Sequence, residues 1–354
     1  MVVRWIAALA AFLVVAYVGI VGVGDFAGDD AGNSWALVAA LALVAAFVAY
    51  AAVEYAQTRS FASIASQFDM RTLALMPVAI AINIILGAAV ANALKIPIYL
   101  DSIGTILVGA LAGPIPGALT GFLANIIWQY VIPPPFQGSV AAPFAIVAAV
   151  IGLMAGLFGR AGWLRPRPER PLPQLATGGV LALLIVAALV AYAYTRFYGT
   201  SFEFFNPDNQ NVVFAVLGWL IALVFAAFVI GFLVLLFVRR DLTVAFVTVA
   251  GVLTGVVAAL ISAPISANLF SGVTGSGTDF LVAAFRQAGS DIQTATFQQG
   301  LLSDPVDKLV TFFVVYLILN AMARRTKARF PQGERLLEAG EPTIEEGEWR
   351  GATA

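Results

Sequence analysis

The chain has 354 residues, 61% of them hydrophobic and only 11% charged, with a formal net charge of −1 and a mean hydropathy of +0.93. This lies far outside the soluble globular range and leaves no global basic field to recruit nucleic acid. Neither Cys nor His occurs, which excludes disulfides, thiolate chemistry, zinc centres and His-based hydrolytic triads.

Apolar length and polar punctuation place ten spans, making the chain an all-α polytopic membrane protein. They are Trp5–Val23, Trp35–Tyr55, Leu73–Leu94, Ile98–Leu111, Ile115–Val131, Ala142–Phe158, Leu175–Tyr194, Val212–Val238, Leu242–Ala263 and Val306–Met322. The first is too long for a signal-peptide core and is followed by Asp25, Asp29 and Asp30 without a small-residue cleavage site, so it reads as a retained span. The segment from Gln57 to Arg71 mixes apolar and polar residues and suits a helix at the membrane interface. On the third span Ala79, Asn83, Gly87 and Ala91 fall four apart, a small-residue stripe of the kind that packs helix on helix.

The stretch Leu100–Trp128, LDSIGTILVGALAGPIPGALTGFLANIIW, opens on an acid, Asp101, and is otherwise uncharged. Pro114 and Pro116 cannot sit within one straight helix, since each lacks an N–H and crowds the preceding turn. Two helices are expected, from Tyr99 to Leu111 and from Ile115 to Tyr130. Gly117, Gly121 and Asn125 then share one face of the second. Further on, Arg160–Pro173 is a basic, proline-rich connection. The longest connection, Pro264–Pro305, contains SGVTGSGTD and a short amphipathic helix around Phe280, Ala283, Ala284 and Ala288. The tail is rich in Glu and is expected to be solvated and disordered.

With the N-terminus inside, 15 of the 19 basic residues fall in cytoplasmic segments, and only Lys95, Arg196, Arg286 and Lys308 fall outside. The positive-inside rule therefore favours both termini in the cytoplasm of a cell-membrane protein. Asp101, then Asn125, Trp128 and Gln129, and finally Asp307 in DPVDK gather at the outer ends of their spans. Fixed hydrogen-bonding groups beside an aromatic wall suit a small-molecule site. The competing reading makes Trp128 an interfacial anchor and pairs Asp307 with Lys308 or Lys95. No P-loop, no intramembrane carboxylate pair for a proton relay and no enzyme signature is found, and no cofactor or metal is implied.

The stretch Leu100–Trp128, the preceding AIAINIILGAAVANALKIPIY, and the distal GVTGSGTD and DPVDK resemble the substrate-binding S components of energy-coupling-factor (ECF) transporters, and more closely uncharacterised S components of Gram-positive bacteria. The similarity covers roughly half the chain. It implies a six-helix core from spans three to six, nine and ten. It also implies a vitamin-like ligand at the outer face, under lids at Lys95–Asp101, Pro133–Ser139 and Pro264–Pro305. Partners would be a transmembrane coupling subunit and cytoplasmic ATPase subunits, with Ala79, Asn83 and Gly87 matching the family's coupling face. The expected organisation is a two-helix extension (1–72), a first core part (73–161), an inserted loop and helix pair (162–241), a second core part (242–325) and an acidic disordered tail (326–354). A membrane sensor or regulatory subunit on the same core, binding ligand without transport, is the alternative.

Overall fold

A computed structural model describes residues 2–23, 31–93, 98–197, 230–238 and 240–337. Among them the chain is helical and has no strand. The helices are α1 (Val2–Val23), α2 (Ala31–Thr58), α3 (Ala62–Ala65), α4 (Met70–Gly87, continued by a wider turn Ala88–Ala93), α5 (Ile103–Ala112), α6 (Pro114–Tyr130), α7 (Ala145–Arg160), α8 (Leu172–Phe197), α9 (Thr243–Phe270), α10 (Asp279–Gln287), α11 (Ile292–Ala321) and α12 (Arg324–Ala328).

Among the described residues six helices are long and apolar enough to cross a membrane: Val2–Gly22, Ala31–Thr58, Met70–Val90, Ala142–Arg160, Leu172–Leu189 and Thr243–Phe270. They mark a membrane-embedded protein. The other four of the ten expected spans are not among these six, each for a definite reason. The fourth and fifth spans become α5 and α6, of 10 and 17 residues. The tenth lies in α11, which carries Asp304, Asp307 and Lys308. The eighth, Val212–Val238, lies outside the described residues except for 230–238.

α5 begins at Ile103 rather than Tyr99, because Leu100 takes a φ of +52° that no helix continues through. At the other end Gly113 has a φ of +134° and Pro114 occupies the first turn of α6. Glycine alone adopts that backbone readily, and proline is preorganised for a helix start. The two helices therefore turn back on each other.

α6 then packs on α7 through backbone. A Cβ on Gly152 would strike the Gly117 carbonyl, and one on Gly121 would strike that of Ala148. Asn83 of α4 donates to Thr105 Oγ1 (2.7 Å) and accepts from the Gly104 N–H (2.8 Å), riveting α4 to α5. α9 and α11 close the bundle, with Gly251 against Leu309 and Gly255 against Pro305. α4, α5, α6, α7, α9 and α11 thus form one packed group around Ile106, Leu111, Ile151, Phe312 and Val315. α1 lies on α2, with Arg4 paired to the buried Glu54 at 3.2 Å.

Two ends are distinguishable. At one, Arg71 donates to the Arg329 carbonyl, Arg335 to that of Arg160 and Arg165 to that of Leu337. This basic end also holds the α5–α6 turn, where Gln67 Oε1 accepts from the Ile115 N–H. At the other end lie residues 98–102, the connection 131–141 and the loop 271–278. Two expectations change here. The Pro264–Pro305 connection is largely helical, since α9 continues to Phe270 and α11 starts at Ile292, though its amphipathic helix is present as α10. Disorder from residue 326 is also too early: Gln332 N–H donates to the Leu111 carbonyl and Leu336 is buried, while 338–354 lie outside the described residues.

Candidate functional site

α5 is about 15 Å long at 1.5 Å per residue, half of a hydrocarbon core about 30 Å thick. Above its N-terminus the bundle holds a cavity of about 400 Å³. Each wall follows from a feature of the chain. Tyr99, Asp101 and Ser102 come from the irregular segment before α5. Asn125 and Trp128 come from the last turns of α6, on the face begun by Gly117 and Gly121. Ser262 of α9 and Asp304 and Lys308 of α11 complete the polar side, and Phe144, Val147 and Ile151 form an apolar floor.

The polar side is a compact network. Asp307, wholly buried, accepts from the Tyr99 and Leu100 N–H groups with one oxygen (3.0 and 2.8 Å). Its other oxygen meets Lys308 Nζ at 2.5 Å. This carboxylate holds the strained turn at Leu100. Lys308 Nζ also donates to Ser102 Oγ (2.9 Å) and lies 3.6 Å from Asp101 Oδ1. Asp304 accepts from Ser262 and Ser303 hydroxyls, each at 3.1 Å. Asp101 and Asp307 thus share Lys308, and Asp304 lines the same cavity with hydroxyl partners instead.

Two straps cover the cavity. Trp128 Nε1 donates to the Phe136 carbonyl (2.8 Å) and the Gly138 N–H to that of Trp128, folding the 133–141 connection over α6. Gly138 and Gly87 lie so close to the indole that neither could carry a side chain. In the loop 271–278, Asp279 accepts from the Thr274 and Gly275 N–H groups (3.0 and 2.7 Å), and Thr278 shares a hydrogen bond with the Tyr99 hydroxyl (2.8 Å).

Of the five expected ligand residues, Asp101, Asn125 and Trp128 line this one cavity. Gln129 and Asp307 do not. Gln129 accepts from the Ala142 N–H through its side chain (2.6 Å) and from Gln137 through its carbonyl (2.6 Å), so it fastens a strap. Asp307 lies behind Lys308. The expected coupling face also changes: Ala79, Asn83 and Gly87 are buried inside the chain, against Gly104, Thr105 and Trp128, and present no surface to a partner. Of the expected lid Lys95–Asp101, residues 95–97 lie outside the described residues. Tyr99, Ser262 and Asp304 are additions. Of these, only Asp304 carries a local mark in the sequence, its spacing of four from Lys308 on one helix face.

A second, larger groove of about 660 Å³ runs between α8 and α9, lined by Trp163, Leu181, Leu242 and Phe246, with only Gln174 and Thr177 as polar side chains. It offers little to orient a polar ligand. Among the described residues no group of three or more acids is arranged to hold a metal ion. No family model, curated protein or solved structure matches the chain.

Proposed function

We propose that the protein is the substrate-capturing membrane component of an ATP-driven importer of the ECF type, taking a small, vitamin-like organic nutrient into the cavity above α5. One observation carries this reading: a cavity of about 400 Å³, partly polar and partly aromatic, sits at one end of six packed helices beneath two straps. Its volume falls in the range that holds a small organic molecule, and its few polar groups are fixed by the surrounding hydrogen bonds. The basic end, with Arg160, Arg165, Arg167 and Arg170, faces the cytoplasm on the positive-inside rule, so the cavity opens outward. Coupling and ATPase subunits supply the energy. Because Ala79, Asn83 and Gly87 are committed internally, the proposal rests on the cavity and not on that stripe.

The test is a thermal-unfolding screen of the purified protein against water-soluble vitamins and their precursors, followed by uptake of any hit in cells with and without the ATPase subunits. Stabilisation by a hit, with uptake that needs the ATPases, is expected. A hit whose uptake ignores the ATPases would favour the sensor reading, and a screen with no stabilising compound would overturn ligand capture.

A further inference from the structure

We propose that the cavity selects a small organic cation bearing an apolar ring, an inference that rests on the ligand-capture reading above. Asp101 and Asp307 meet a single ammonium, Lys308, and a third carboxylate, Asp304, lines the same cavity without an ion pair among the described residues. A lysine has three N–H donors. Those of Lys308 are surrounded by Asp307 Oδ2, Ser102 Oγ and Asp101 Oδ1 at 2.5, 2.9 and 3.6 Å. Asp307 is satisfied in turn by Lys308 and two backbone N–H groups. Two of the three Lys308 donors are thus committed inside the protein and the remaining charge faces Asp101, so acids outnumber the ammonium at the cavity.

Two acids on the cavity wall then lack a dedicated cation. Asp101 reaches Lys308 only at 3.6 Å and keeps 25% of its side chain exposed. Asp304 is 6% exposed and has hydroxyl partners but no cation within 4.0 Å among the described residues. Removing carboxylates from water without a counter-charge is costly, so a cation entering here relieves a penalty already built into the fold.

The remaining lining agrees. Asn125 is 7% exposed and lines the cavity, and its side-chain amide has no hydrogen-bond partner among the described residues. A buried amide left without a protein partner is a group waiting for a ligand. Tyr99, Trp128 and Phe144 bring three aromatic rings to the same space. Since the indole N–H of Trp128 is taken by the Phe136 carbonyl, this ring contributes apolar surface and π density rather than a donor. Excess carboxylates, aromatic rings and one amide suit an ammonium or ring-borne cation attached to an apolar body. A net-negative molecule of the same shape would find the field repulsive.

The test uses the full-length protein in nanodiscs of uncharged phosphatidylcholine, so that the lipid surface does not itself concentrate cations. Tryptamine, tryptophol and indole-3-acetate share an indole and differ in charge: cation, neutral, anion. Titration calorimetry should show tryptamine binding at least about tenfold more tightly than either of the others. Asp101→Asn and Asp304→Asn should each remove most of that preference while leaving tryptophol unchanged. If Asp304→Asn does not fold, Asp101→Asn, at the more exposed position, carries the comparison. Tryptophol or indole-3-acetate binding as tightly as tryptamine would overturn the cation assignment and leave ligand capture standing. No binding by any of the three up to millimolar concentration would also overturn it, with the vitamin screen then judging ligand capture independently.

Discussion

Asp101 and Asp307 contact the same lysine yet do different work, because one is partly exposed and the other is sealed. Replacing Asp307 with Asn leaves Lys308 charged and buried beside a neutral amide. Breaking one side of a buried pair costs about 3–5 kcal/mol. The variant should therefore show a large fall in thermal stability in mild detergent, whatever ligand is present. Asp101→Asn should barely move the unliganded transition and act on binding instead, weakening a charged ligand by about 1.5–3 kcal/mol, at least tenfold in affinity. Equal stability losses in the two variants would place both acids in the scaffold. Asn83 belongs with Asp307. Its amide joins α4 to α5 by two buried hydrogen bonds, so Asn83→Ala strands the Gly104 N–H and Thr105 hydroxyl and should destabilise by about 1–3 kcal/mol.

Helix geometry decides where the cavity can be. α5 is short, so the space above it is enclosed by neighbours that continue past it, and the contact of α6 with α7 sets how far apart those neighbours stand. A Cβ at Gly152 would meet the Gly117 carbonyl, and no flexible side chain is there to yield. Gly152→Val should push α6 from α7 at a cost of about 1–3 kcal/mol and displace Asn125 and Trp128 with it. Thermal unfolding with ligand titration would reveal this as a joint loss, and an unaffected variant would mean that the helices separate without consequence. The glycine–proline signal at 113–116 made the α5–α6 turn readable from sequence, because those residues dictate backbone conformation locally. The α5 start was not readable, since the Leu100 turn is held by Asp307, some 200 residues away. Pro264 and Pro305 suggested the limits of a long loop, yet α9 and α11 run through both, where the close mutual packing of the two helices sustains them. Asp101, Asn125 and Trp128 were legible as polar and aromatic residues closing apolar runs. Asp304 and Ser262 join them only through the α9–α11 pairing, which no local pattern encodes.

The bundle is electrically lopsided along its length, and the proposed orientation in the membrane rests on that asymmetry. Arg71, Arg160, Arg165, Arg329 and Arg335 gather at one end, where Arg71 donates to the Arg329 carbonyl, Arg335 to that of Arg160 and Arg165 to that of Leu337. The acids and aromatics of the cavity lie at the opposite ends of α5, α6 and α7. The crossings alternate consistently: Arg4 and Glu54 meet at the basic end, whereas Asn33, at the start of α2, accepts from the Tyr130 hydroxyl at the cavity end. Short as they are, α5 and α6 preserve this alternation by running in opposite directions, so treating them as one re-entrant unit or as two crossings gives the same placement of every later helix. With the basic residues on the cytoplasmic side, as the positive-inside rule favours, the proposed cavity opens outward. A chain without native Cys makes the test direct. Val273→Cys, in the strap 271–278 and 67% exposed, should react with an impermeant maleimide on intact cells. Glu169→Cys, exposed in the basic connection, should react only after permeabilisation. The reverse pattern would put the cavity on the cytoplasmic side, where it would serve to sense or release a molecule rather than to capture one from outside.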